Sequence, residues 1–160
     1  MDKNFLLSKE APAWIQAIGS VGAILIAVWI SRSGERAAAQ HAVISARAFA
    51  SIVNRCFNSM KQGAELDQRS AVRIIQGSLE EALVSGRVIR VELLPPSCIS
   101  AVLSIRAMAG AILHAAGAYS AGLEQHSRHE FLQTLNAYWI PLSEHVLELS
   151  RAHSGLPEVA

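Results

Sequence analysis

Ala11 to Ser31 (APAWIQAIGSVGAILIAVWIS) is a run of twenty-one residues without a charge, bounded by Glu10 and Arg32. As a helix rising about 1.5 Å per residue it reaches about 31 Å, the thickness of a bilayer's hydrocarbon core. Lipid offers no water to backbone amides and carbonyls, so a lone segment crosses only as a helix that pairs them internally. Trp14 and Trp29 fall near the two ends of the run, where indole rings favour the headgroup boundary. These features predict a membrane span.

Two other readings compete. A secretory signal would combine a basic start, a short apolar run and small residues at a cleavage site. Ala37 to Ala39 supply small residues, but Arg32, Glu35 and Arg36 intervene, and the leader MDKNFLLSKE is acidic as well as basic. A buried helix of a water-soluble fold would not need so long an uncharged run. A retained anchor satisfies all the flanks. Its orientation follows from Lys and Arg, with Lys3 and Lys9 before the run and Arg32, Arg36 and Arg47 soon after it. The excess after the run predicts a cytoplasmic C-terminal domain.

Gly19, Ala23 and Ala27 recur at four-residue spacing, and Gln16 and Ser20 share a face at i, i+4. Small residues let helices approach closely in lipid, so this stripe is a candidate surface for homo-oligomers.

About 129 residues follow the run, enough for one domain with a core. The chain is 51% hydrophobic and its mean hydropathy is positive, the reverse of a disordered composition. Of the fourteen basic and thirteen acidic residues, Lys3, Lys9, Asp2 and Glu10 precede the run, leaving twelve against eleven beyond it. That balance gives no global footprint for nucleic acid. Between Arg32 and Lys61, however, five basic residues meet one acid, Glu35, a bias that would attract anionic headgroups or serve topology alone.

Spacing predicts an all-α fold of about four helices beyond the anchor. The first continues from the membrane helix to about Gln62, with Val43, Ala46, Ala50, Val53, Phe57 and Met60 inward and Gly63 as its stop. The second covers Ala64 to about Ser85, is interrupted near Gly77, where Ser78 and Glu81 form a possible capping box, and ends at Gly86. Arg87 to Ser97 reads as a short extended connection pinned by Leu93 and Leu94, with Ser97 capping the third helix, Cys98 to Tyr119. That helix is apolar enough to raise a second crossing, which Arg106 and His114 oppose. After a turn over Gly117 to Gly122, a capping box of Ser127 and Glu130 opens the last helix, with Phe131, Leu135, Tyr138, Trp139, Leu142, Val146 and Leu149 on one face. Pro141 predicts a kink or break near Ile140, and Gly155 and Pro157 close the helix. The domains expected are a tail over residues 1–10, a transmembrane helix over 11–31, a cytoplasmic helical domain over 32–154 and a tail over 155–160.

No pattern for catalysis, cofactor or metal stands out. Glu124, His126, His129 and Glu130 are the best candidate metal cluster, yet zinc needs three or four ligands in a recognised spacing. Glu144, His145 and Glu148 resemble an acid/base group but sit at the spacing of an ordinary solvated helix face. No phosphate loop, nucleophile elbow, zinc-protease or dinucleotide fingerprint occurs. Catalytic, cofactor-binding and metal residues are therefore expected to be absent. Cys56 and Cys98 are read as reduced, buried small hydrophobes.

The opening WIQAIGSVGAILIAVWISRS resembles the N-terminal anchors of small, uncharacterised bacterial and prophage membrane proteins, in which a W-I-Q-A-x-G-type span precedes a helical cytoplasmic tail. The resemblance covers residues 13 to about 35 and implies a bacterial inner-membrane location without specifying an activity. The expected function is a single-pass anchored interaction or scaffold module, with the bilayer, its own copies or another protein as partners. The alternatives are a phage- or defence-related membrane-active effector, of an exclusion or holin-like kind, and a sensor whose helices respond to a ligand.

Overall fold

A computed structural model describes residues 11–122 and 127–152, with side chains from Ser20 onward. All the regular structure among them is helical: α1 (Ala11–Glu65), α2 (Arg69–Arg87), a 3-10 turn (Val91–Leu93), α3 (Pro96–Ser120) and α4 (Arg128–Arg151). By compactness the chain divides into Met1–Ala39 and Gln40–Ala160, a boundary beyond Arg32, where the uncharged run ends. Within Gln40–Ala160, the C-terminal part of α1 and helices α2 to α4 form the four-helix bundle.

In the bundle segment of α1, Val43, Ala46, Ala50, Val53, Phe57 and Met60 are all buried, as their spacing predicts, and Phe49 joins them. Gly63 does not stop this helix. It lies inside the last turn, where a Cβ would meet Val72 Cγ2 at 3.2 Å. The stop falls at Asp67, whose φ of 53° is left-handed. The amide of Gln68 donates to Gly63 O at 2.8 Å and that of Asp67 to Ala64 O at 3.1 Å, the paired bonds that close a Schellman end.

Helix α2 is unbroken through Gly77. It turns Val72, Leu79 and Ala82 inward, with Ile75 and Leu83 packed beside them. Gly77 has open space above it, so the glycine creates no clash that would divide the helix. Gly86 is likewise internal: a Cβ there would lie 2.6 Å from Phe49 Cε2. Its role is close approach to α1, and Arg87 ends the helix.

The following connection is a 3-10 turn, and Leu94 is buried while Leu93 packs at the core margin. Pro95 occupies the N-cap of α3 and Pro96 its first turn, with no side-chain cap from Ser97. Proline suits this place because its missing amide proton would be unpaired there anyway.

Among the described residues, α3 is the helix whose length and composition suit a membrane crossing, with a mean hydropathy of 1.6 over its most apolar window and 39% of that window buried. It lies mid-chain, not at the N-terminus; of Ala11 to Ser31, the described side chains begin at Ser20. In the bundle, α3 supplies Cys98, Ala101, Val102, Ile105, Met108, Ala109, Ile112, Ala116 and Tyr119 to the core. Leu103 of the same helix is exposed.

In α4 the capping box is present: Glu130 N donates to Ser127 Oγ at 3.3 Å, and Ser127 N to Glu130 Oε2 at 2.9 Å. Pro141 does not break the helix. Leu135, Leu142 and Leu149 are buried on both sides of the proline, and that packing outweighs the lost amide bond and ring clash, worth about 3 kcal/mol or more in an exposed helix. The closing residues Gly155 and Pro157 lie outside the described residues.

Replacing Gly86 with Ala should destabilise the bundle by roughly 1–3 kcal/mol through overpacking against Phe49. Denaturant unfolding of Gly86→Ala, and of Gly86→Ala combined with Phe49→Leu, measures the clash. The second change should recover part of the loss if the clash is its cause.

Candidate functional site

From Ser20 onward, the uncharged part of α1 turns its large apolar side chains outward. Val21, Ile24, Leu25, Ile26, Val28, Trp29 and Ile30 are between 44% and 70% exposed. At about 100° per residue these positions surround the helix. A helix apolar on all sides requires apolar surroundings on all sides, and nothing among the described residues of this part of the chain supplies them. Ala23 and Ala27 are exposed as well, while Gly19 lies outside the described side chains. Arg32, Glu35 and Arg36 follow, all exposed, and Ser33 Oγ turns back to donate to Ile30 O at 2.8 Å.

Three arginines of the bundle donate to helix ends. The last carbonyls of a helix have no partner within it and carry the negative end of its dipole. Arg106 of α3 donates through Nη2 to Gly86 O and, at 3.3 Å, to Ile89 O; Arg128 of α4 donates to Glu65 O at the end of α1; Arg47 of α1 donates to Ser150 O near the end of α4, at 2.7 Å. Thus the arginine that argues against a second crossing is the donor that closes α2 from a neighbouring helix. Its Nε is buried without a partner among the described residues, and burial lowers its pKa.

A second node joins all four helices at one end of the bundle. Tyr119, fully buried, donates its hydroxyl to Asp67 Oδ1 at 2.9 Å. Phe131 stacks on its ring with centroids 4.9 Å apart, and the Arg69 guanidinium lies 5.3 Å from its centroid. The bond to Tyr119 holds Asp67 in the left-handed conformation that ends α1. Burial first, and then the bond and charge of Asp67, push the Tyr119 hydroxyl above its ordinary pKa of 10.0.

Among the described residues His129 pairs with Gln133, with 3.0 Å between the two Nε2 atoms; Glu124 and His126 lie outside the described residues. No group of three or more potential metal ligands occurs among the described residues. His145 Nδ1 and Glu148 Oε2 are 3.4 Å apart at i, i+3, and Glu144 and Glu148 line an open depression with Ser97, Leu147, Arg151 and Ala152. Cys56 and Cys98 are free and buried, and burial raises the Cys56 thiol pKa. A buried neutral thiol is a poor nucleophile. No family model, curated protein or solved structure matches the chain.

Because the native state holds the Tyr119 proton more tightly than the unfolded chain, this tyrosine's contribution is complete below about pH 10 and is lost as pH rises from there through the raised native value. Tyr119→Phe should cost roughly 1–3 kcal/mol at neutral pH by removing the bond to Asp67. It should also flatten the alkaline decline in stability, as urea midpoints measured from neutral pH to above pH 10 would register.

Proposed function

We infer that this protein is a single-pass membrane-anchored helical module whose bundle serves as an interaction or scaffold domain, in a bacterial inner membrane with the bundle on the cytoplasmic side. The observation that carries this reading is the outward apolar girdle from Val21 to Ile30, followed at once by exposed arginines. In water it would be a standing aggregation hazard; in lipid it is solvated. The excess of basic residues beyond it supports the orientation. The α3 helix keeps its apolar inner face in the bundle core, so the anchor is assigned to α1.

Ile24→Arg places a guanidinium near the middle of the proposed span at a cost of about 2.5–3.5 kcal/mol. The unaltered protein should stay with membranes through alkaline carbonate extraction and the variant should not; equal extraction of both would refute the anchor.

Ala23 and Ala27 are the described part of the small-residue stripe proposed as a contact between copies. Exchanging both for Ile should reduce cross-linked oligomers in membranes severalfold while leaving carbonate resistance intact. Unchanged cross-linking would remove the stripe from the interface.

A further inference from the structure

Leu25, Trp29, Arg32 and Arg36 fall within an arc of about 60° on α1, because steps of three, four and seven residues return to nearly the same side of a helix. All four are exposed, with Trp29 at 70%. Along the axis the face changes from aliphatic to aromatic to cationic. If the hydrocarbon boundary lies at Ser31, as the anchor reading requires, Arg32 sits about 1.5 Å and Arg36 about 8 Å beyond it. Those heights bracket the roughly 5–8 Å layer in which headgroup phosphates lie.

Neither arginine makes a hydrogen bond or ion pair among the described residues. Arg47, Arg106 and Arg128, by contrast, each close a helix end. Glu35 is the nearby acid, but it projects about 90° from the centre of this face and forms no ion pair with either arginine.

We propose that the Leu25–Trp29–Arg32–Arg36 face of α1 is a binding site for an anionic phospholipid, with acyl chains along Leu25 and Trp29 and the headgroup phosphate between the guanidinium groups of Arg32 and Arg36. Charge complementarity selects the headgroup, since a guanidinium donates to phosphate oxygens in a planar fork. The indole sets the depth at which the chains meet the headgroup. This proposal rests on the anchored reading of α1 and adds the class of lipid that the anchor prefers.

Trp29 reports on its own site. Full-length protein carrying Trp14→Phe is reconstituted into phosphatidylcholine vesicles containing phosphatidylglycerol, with brominated acyl chains on one lipid or the other, and quenching gives the relative affinity of the two at Trp29. Trp139, in the bundle, contributes a constant background. Phosphatidylglycerol should be preferred, Arg32→Gln and Arg36→Gln should each lower that preference roughly fivefold or abolish it, and Glu35→Gln should change it by less than about twofold. Equal quenching by the two lipids, or a preference unaltered in both arginine variants, overturns the site. So does a Glu35→Gln preference that rises as far as an arginine variant's falls, since that marks diffuse attraction. Absence of quenching by either lipid overturns the anchor and the site together, whereas quenching without preference overturns the site alone.

Discussion

Every helix leaves its last carbonyls without partners within it. Three of the four helix ends in the bundle are closed by an arginine from a different helix: Arg128 for α1, Arg106 for α2 and Arg47 for α4. An arginine suits this work because its long apolar stem crosses packed side chains while its planar head presents several donors. The interaction orders the bundle as well as stabilising it. A donor from a neighbouring helix reaches a given carbonyl only when the two helices are in register, so the aliphatic core and these contacts specify one arrangement together.

The end of the bundle around Tyr119 extends the same logic. Asp67 adopts a backbone conformation usually left to glycine, and it does so where a buried hydroxyl can hold its carboxylate. One side chain therefore ends α1, fixes the entry into α2, and ties both to α3. Phe131 adds the start of α4 through ring stacking. Polar and aromatic contacts have the same purpose here as the remote arginines, which is to satisfy groups that the helices alone leave unpaired.

The two parts of α1 follow opposite rules. In the bundle its apolar residues are buried on one face, with polar residues outward, as in any helix of a globular core. From Ser20 to Ser31 the apolar residues are exposed on all sides, and the arginines beyond are uncommitted. In the bundle Arg47, Arg106 and Arg128 donate to backbone carbonyls, whereas Arg32 and Arg36 make no hydrogen bond or ion pair among the described residues.

Helical class, the inward stripe of α1 and the capping box of α4 were legible in the sequence, because each depends on spacing within a few residues of chain. The roles of Gly63, Gly77 and Gly86 were not. Local rules read glycine as punctuation, but a neighbouring Val72 or Phe49 fills the space that two of these glycines leave. Pro141 misled for the same reason: the penalty is local, and the packing that overrides it is not. The Tyr119–Asp67 bond joins residues 52 apart and has no linear signature. By itself, then, the sequence determined where apolar surface had to be hidden from water, since burial follows from side-chain type and period. Only the tertiary structure decided which helix end meets which arginine and where α1 stops, because those choices belong to groups distant in the chain that become neighbours only once the helices pack.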